Sequence, residues 1–241
     1  MLANKLFEQM KSHFLKAIEL EPLFSKAHFE LALVYDRDGS DDSAERHFIK
    51  AIRLDLTKIE ENNIFINENL EKFQFQNAKF LLNENQNVKI DCSYSYYMLY
   101  RLYIRQKKTD KAKKQLIKSI DLYSDFSKSH RDLGILFYKE KKMNLAKEHL
   151  DFSLDLNYGD YKAHYYLGLI MKEEFDYKQT EIYFLNSLDI NSKFLPCLIE
   201  MATLKLLIND NEKAMKYYKK AKYFSKDIYN DKLEKLINND K

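Results

Sequence analysis

The fold is decided by the 34 residues from Ser127 to Asp160, which read SKSHRDLGILFYKEKKMNLAKEHLDFSLDLNYGD. Leu133 and Phe137 are four residues apart, and so are Ala146 and Leu150, which places each pair on one face of a helix. The polar residues between the two pairs have the length of a short turn. The stretch therefore predicts two amphipathic helices that face each other, with the small alanine allowing their backbones to approach closely.

The same pattern recurs every 34 residues along the chain. One repeat position is alanine in five of six cases, and a second position, four residues later, is large and apolar throughout. The first position holds Ala44, Ala78, Ala112, Ala146, Thr180 and Ala214, and the second holds Phe48, Leu82, Leu116, Leu150, Phe184 and Tyr218. Self-similarity at a fixed period of this length is typical of stacked helical repeats.

The composition agrees with an α-helical protein. Four glycines and two prolines in 241 residues are too few for the many tight turns of a β-sandwich or a βαβ protein. An apolar fraction of 45% predicts a folded chain. The net charge of +3 is too small to attract a polyanion strongly, so nucleic acid is not the expected partner.

Neither secretion nor membrane insertion is expected. Charged residues interrupt the first twenty positions, whereas a signal peptide needs an unbroken apolar core. The most apolar stretch, residues 194–208, contains charged residues and is too short to cross a bilayer. Cys92 and Cys197 form no CxxC pair, which predicts neither a disulfide framework nor a zinc site and favours a reducing, cytoplasmic location.

The repeat resembles that of the tetratricopeptide repeat (TPR) family, whose 34-residue unit carries a W-x2-L-G-x2-Y, A-x3-F, A, P pattern. In residues 127–160 the matching residues are Leu133, Gly134, Phe137, Ala146 and Leu150. The resemblance implies an all-α fold, a right-handed superhelical solenoid of antiparallel helix pairs. It also implies that the first helices of the repeats line a concave groove in which partners bind.

The repeat register divides the whole chain into one solenoid. We expect a partial repeat at 1–24, repeats at 25–58, 59–92, 93–126, 127–160, 161–194 and 195–228, and a capping helix at 229–241. The repeat 59–92 is degenerate, because Asn62, Asn69 and Asn85 replace residues that are mostly apolar elsewhere, and we expect it to be frayed or shortened. The partial repeat supplies one helix without its pair, which leaves open upstream sequence, self-association through this half-repeat, or a frayed end.

No catalytic, cofactor or metal site is predicted. All six histidines occupy two repeat positions, which explains them as packing residues: His28, His130 and His164 at position 4, and His13, His47 and His149 at position 23. Motifs for nucleotide binding, zinc proteolysis and serine hydrolysis do not occur. Since the repeats fill the chain, no sequence remains for a separate catalytic domain.

The concave groove is the expected binding site. In TPR proteins, repeat positions 2, 5, 9 and 12 point into it. In the three central repeats, the candidates at these positions are Tyr94, Tyr97, Arg101, Lys128, Arg131, Tyr138, Lys162, Tyr165 and Leu169. Tyrosine and arginine most often anchor interfaces. The basic members lack acids at the same groove positions, which favours an acidic or carboxylate-ended segment.

The predicted function is therefore that of a non-catalytic scaffold or assembly adaptor, which binds an extended or helical peptide segment of another protein. The alternative is a helical-repeat protein that reads RNA. The related RNA-binding repeats are one residue longer, and a 35-residue period would slip against the alanine position, which does not slip here. The third interpretation of its function is that the protein is an enzyme.

Overall fold

A computed structural model describes residues 2–225 and 233–235, with side chains from Phe7 onward. Over these residues the chain forms helices and no strand. The helices are α1 (Leu2–Leu20), α2 (Ser25–Asp38), α3 (Asp41–Glu71), α4 (Phe75–Arg105), α5 (Thr109–Leu122), α6 (Ser127–Lys139), α7 (Met143–Leu156), α8 (Tyr161–Glu173), α9 (Tyr177–Ile190), α10 (Leu195–Leu207) and α11 (Asn211–Phe224). Among the same residues, no helix combines the length and apolarity that a membrane crossing requires.

The chain divides into two compact units, Met1–Ser129 and His130–Lys241, with the boundary inside α6. In unit 1, α1 packs on α2, α2 on α3, α3 on α4, and α4 on α5. In unit 2, the same neighbour-to-neighbour packing continues from α7 to α11. The predicted all-α fold of consecutive helix pairs is confirmed, while the single solenoid over 1–241 stays a prediction.

The two repeat positions that define the register form the core. The alanine position is buried at Ala44, Ala78, Ala112, Ala146, Thr180 and Ala214. The large apolar position is fully buried at Phe48, Leu116, Leu150, Phe184 and Tyr218. Leu82 is the exception, with 53% of its surface exposed, and it lies in the repeat that the sequence marks as degenerate.

Each helix pair turns through a residue in the left-handed backbone conformation. These residues recur every 34 positions, at Gly39, Phe73, Lys107, Lys141, Phe175 and Asn209, with φ between 56° and 77°. The next residue donates its N–H to the carbonyl five residues back, as from Gln74 to Asn69 at 2.7 Å, which is the Schellman arrangement. Five turns thus accept a conformation that favours glycine.

Two helices are about twice as long as the repeat predicts. α3 and α4 each contain 31 residues and continue through the expected boundaries at 58/59 and 92/93. The stretch 59–92 is neither frayed nor shortened. It forms the outer half of a long hairpin, which we call the α3–α4 tip.

The cause of this continuity lies at the repeat position of Pro22. Where the chain breaks between repeats, that position holds either Pro22, or Ser124, Tyr158 and Ser192 in links that contain Asn, Asp, Ser or Gly. In the continuous helices it holds Leu56 and Ile90. An aliphatic residue at this position allows the helix to continue, even with Asp55 next to Leu56 and Asp91 next to Ile90.

The C-terminal end is described only in part. The predicted capping helix at 229–241 lies outside the described residues apart from 233–235. There Leu233 is buried against Ala214 and Tyr218. The carboxylate of Glu234 accepts hydrogen bonds from the Tyr218 hydroxyl at 2.7 Å and from the Lys222 ammonium at 2.5 Å.

Candidate partner-binding surface

Two predicted groove tyrosines belong to an aromatic cluster in unit 1. The ring centroids of Tyr94 and Tyr97 lie 6.3 Å apart, and both rings meet Phe126 edge-on, at 5.9 and 5.2 Å. Phe29 of α2 contacts Tyr94 at 5.5 Å. Tyr94 is 37% exposed and can contact a partner. Tyr97 is only 6% exposed, so it supports the cluster from within.

A small pocket adjoins Tyr94. It is lined by Ser25, Lys26, Phe29, Asp55, Asp91, Tyr94 and Ser95. Burial raises the pKa of Asp55 to about 6. The sequence analysis missed both carboxylates, since the repeat register assigns Asp55 and Asp91 to links between repeats. The continuity of α3 and α4 turns those links into helix and brings their carboxylates to the pocket.

The two remaining candidates in unit 1 are exposed cations. Arg101 lies on α4 and Lys128 in the first turn of α6. Within residues 2–225 and 233–235, neither makes a salt bridge; Arg101 contacts the sulfur of Met98 at 3.7 Å. Their charges therefore remain available to an acidic group.

Arg131, in unit 2, forms its salt bridges with carboxylates of the same unit. Its guanidinium donates to Asp132 at 2.7 Å and to Asp160 at 2.8 Å, and the side chain is 12% exposed. Asp160 also caps α8, accepting from the backbone N–H groups of Lys162 and Ala163. Arg131 thus ties α6 to the start of α8. The expectation of an unbalanced positive charge here was wrong, because it compared only groove positions, whereas Asp132 on α6 and Asp160 in the link before α8 lie outside them.

Tyr138 is also held in place. Its hydroxyl donates to Glu173 at 2.8 Å, and Lys141 donates to the same oxygen at 3.1 Å. Its ring meets Tyr166 edge-on at 5.5 Å. Burial, followed by the bond to Glu173, raises the pKa of Tyr138. The phenol is neutral and fixed at physiological pH.

Tyr165, Leu169 and Lys162 complete the candidates. Tyr165 packs edge-on against Phe194 at 5.2 Å and stacks on Phe184 at 5.9 Å, and Leu169 packs on the same core cluster. Burial raises the pKa of Tyr165. Lys162 is exposed and makes no salt bridge within the described parts of the chain. In unit 2, a partner could therefore contact the partly exposed side chains of Tyr165 and Leu169 and pair with the ammonium group of Lys162.

Four of the six histidines pair within repeats, an arrangement that their repeat positions had not been used to predict. The Nδ1 atoms of His28 and His47 lie 3.0 Å apart, and those of His130 and His149 also lie 3.0 Å apart. Positions 4 and 23 face each other across one helix pair, a relation that the shared spacing of 19 residues could have signalled. The described residues contain no cluster of three or more His, Cys, Asp or Glu able to hold a metal.

Both cysteines are fully buried free thiols. Burial raises the pKa of Cys92 and of Cys197 to about 12. At neutral pH each is therefore protonated and enclosed, and it packs as a small apolar residue.

Comparison with known proteins identifies the fold. No family model and no curated protein sequence matches the chain. Solved structures do. YrrB, a TPR protein with an unusual peptide-binding site, has a TM-score of 0.60 at 16% identity, over 94% of this chain and 97% of its own. PilW, a widely conserved type IV pilus biogenesis factor, has a TM-score of 0.62 at 18% identity, over 89% and 86%.

A third similar structure is BtubC from P. vanneervenii, with a TM-score of 0.63 at 12% identity, over 94% of this chain and 92% of its own. At sequence identities this low, the structural similarity establishes the fold and nothing further. The chain has the TPR fold, and the resemblance predicted from the sequence is confirmed at that level.

Proposed function

We propose that this protein is a scaffold that binds a peptide segment of another protein along the first helices of its repeats. The proposal rests on one observation. In each unit, the predicted groove positions hold exposed cations together with partly exposed aromatic or aliphatic side chains. In unit 1 these are Tyr94, Arg101 and Lys128, and in unit 2 they are Lys162, Tyr165 and Leu169.

The aromatic contacts support a preformed surface. The Tyr94 and Tyr165 rings are fixed by neighbouring rings in their own units, so binding a peptide would cost little side-chain entropy. Rigid tyrosines give large contact area together with a hydroxyl for hydrogen bonding. The fold of YrrB, which carries a peptide-binding site, agrees with this use of the surface.

The proposed ligand is an acid-bearing segment. Arg101, Lys128 and Lys162 are the groove cations without salt bridges among the described residues, whereas Arg131 is paired with Asp132 and Asp160. Acidic side chains or a terminal carboxylate on the ligand would pair with Arg101 or Lys128 in unit 1, or with Lys162 in unit 2. Arg131 acts as a positioning residue that holds the start of α8.

Selection of peptides from a random display library against the full chain tests the proposal. We expect enriched peptides to contain Asp or Glu near apolar residues. In fluorescence anisotropy, Lys128→Glu and Lys162→Glu should each weaken binding of an enriched peptide by about tenfold or more. Matched controls are Lys114→Glu and Lys178→Glu, exposed lysines on the second helices α5 and α9.

Equal losses in the control variants, or enrichment without acidic residues, would contradict the proposed groove. Single-stranded RNA added to the same assay should not displace the peptide. Displacement that weakens steeply with salt would favour the RNA-binding alternative.

A further inference from the structure

The α3–α4 tip exposes a set of large apolar side chains. They lie on both helices and at the turn between them, and each is between 43% and 79% exposed: Phe65, Leu70, Phe73, Phe75, Phe80 and Leu82. Phe75 and Leu82 are seven residues apart, so they lie on one face of α4. The tip therefore carries unburied apolar surface where a solenoid repeat would bury it.

Among the residues that the structure describes, the tip is packed along one line of contact, between α3 and α4. Along it, Ile66 and Ala78 are buried, and Asn62 donates to Asn85 at 2.8 Å while Asn85 donates to Asn63 at 2.9 Å. These amide bonds fix the register of the two helices, as a buried asparagine does in coiled coils. Contact between two helices buries the side chains that face each other and leaves those on the other sides of both helices exposed.

The exposed area is large for an isolated protein. At about 150 to 250 Å² for each aromatic side chain, the exposed fractions of the four phenylalanines amount to roughly 400 to 650 Å². Leu70, Leu82 and Ile64, also about half exposed, add to that area. These side chains surround the tip, since Phe75 and Phe80 lie about 140° apart around α4, and their total is comparable with the roughly 800 Å² that each partner buries in a standard interface.

We propose that the α3–α4 tip binds the same tip of a second copy of this chain, so that two hairpins pack as a four-helix bundle about a two-fold axis. Close to a two-fold axis a residue faces its own counterpart, so a charge there would be repelled by an identical charge. Residues 62–67 and 73–78 contain no charged residue. Their polar members are Asn and Gln, whose amides both donate and accept and can pair with themselves.

Light scattering on the full chain across a concentration series tests this. We expect a dimer of the wild type that dissociates on dilution. The double change Phe75→Glu and Leu82→Glu puts four like charges into the dimer interface and should give a monomer, while the helical signal in circular dichroism stays unchanged because both side chains are exposed. Mixing Phe75→Glu with Phe75→Lys should restore a dimer, now between the two variants.

Two controls separate this surface from others. Leu145→Glu, on α7, changes a leucine of comparable exposure outside the tip and should leave the dimer intact. Leu15→Glu tests the half-repeat α1 as the rival surface and should also have no effect. A wild type that stays monomeric at every concentration overturns the proposal. So does a dimer that survives Phe75→Glu with Leu82→Glu, or one that is lost in Leu15→Glu.

Discussion

Gly168 lies where α8 and α9 approach most closely. A Cβ atom here would stand 2.5 Å from two carbons of the Phe184 ring, and that ring is fully buried. We expect Gly168→Ala to lower the free energy of unfolding by about 1 to 3 kcal/mol through overpacking. This loss exceeds the gain of up to about 1 kcal/mol from alanine's helix propensity.

Denaturant midpoints measure the effect of this change. The matched control is Gly159→Ala, where the added Cβ would meet only the Asn157 side-chain oxygen, at 3.4 Å. An unchanged midpoint in Gly168→Ala would show that α8 and α9 have more room than their contact implies.

The paired histidines make stability depend on pH. His28 donates from Nε2 to the Pro22 carbonyl, so its Nδ1 accepts the Nδ1–H of His47. Burial lowers the pKa of His28, His47 and His149 below the ordinary 6.5. Below about pH 6.5 the unfolded chain therefore binds more protons than the folded chain. The stabilisation that these neutral histidines provide is therefore present above about pH 6.5 and is lost as the pH falls.

His149→Asn tests this in unit 2. The asparagine amide can still donate to the Nδ1 of His130 but does not titrate, so we expect the melting temperature to fall less between about pH 7.5 and about pH 5.5 than in the wild type. The exposed His13 provides a control, since His13→Asn should keep the wild-type slope. Burial also raises the pKa of Asp55, to about 6, and that of Asp151; these two carboxyl groups favour the folded state as the pH falls, and their contribution is shared by the wild type and the variant.

Residue-level prediction of the site succeeds and fails for identifiable reasons. The exposed surfaces of Tyr94, Lys128 and Lys162 agree with the groove register, and their role in binding stays a prediction. The commitment of Arg131 to Asp160 could not be predicted. It joins residues 29 apart in sequence and depends on the backbone of the link before α8.

At the scale of elements, the α3–α4 hairpin shows what a period can and cannot predict. The period places the turns at Phe73 and Lys107 correctly, because the same backbone conformation recurs there at every repeat. It predicts breaks near 58 and 92 that do not occur. Whether a helix stops depends on local turn chemistry, and Leu56 and Ile90 supply none.

Proline substitutions at one repeat position should distinguish a loop from a continuous helix. Ile90→Pro interrupts α4 and should cost about 3 kcal/mol or more, because it removes a helix hydrogen bond and clashes with the preceding turn. Ser192→Pro falls in the link after α9. There Asn191 has φ −133° and ψ 86°, which suits a residue before proline, so we expect a change of at most about 1 kcal/mol.

Thermal unfolding followed by circular dichroism measures both variants. Ile90 is 37% exposed, so loss of its side-chain packing explains little of the expected difference. If Ile90→Pro melts like Ser192→Pro, then α4 is interrupted in solution near the boundary that the repeat period predicts.

For the whole molecule, contacts between neighbouring helices should keep perturbations local. From α1 to α5 in unit 1 and from α7 to α11 in unit 2, each helix packs on the next along the chain, and stability in such arrays is a sum of neighbour terms. Native-state hydrogen exchange on Gly168→Ala should therefore show faster exchange in α8 and α9, with α2 and the first half of α3 unchanged. Uniformly faster exchange would indicate one cooperative block.

The same locality explains why most of the fold could be predicted. Helix pairs, turns and the buried alanine position depend on residues within one repeat, and the 34-residue period displays them directly. The apolar α3–α4 tip could not be predicted, because Leu82 occupies a core position by register. Leu82 is exposed because none of the described helices packs on that side of the tip.

The enclosed thiols of Cys92 and Cys197 have a practical consequence. With both sulfurs protonated and shielded at neutral pH, the folded chain presents no nucleophile to a maleimide. A cysteine introduced at Lys128 or Lys162 would be the single accessible one, so a fluorophore or spin label could be attached there without first removing the native pair. Labelling both positions would give a direct distance between a point in each unit.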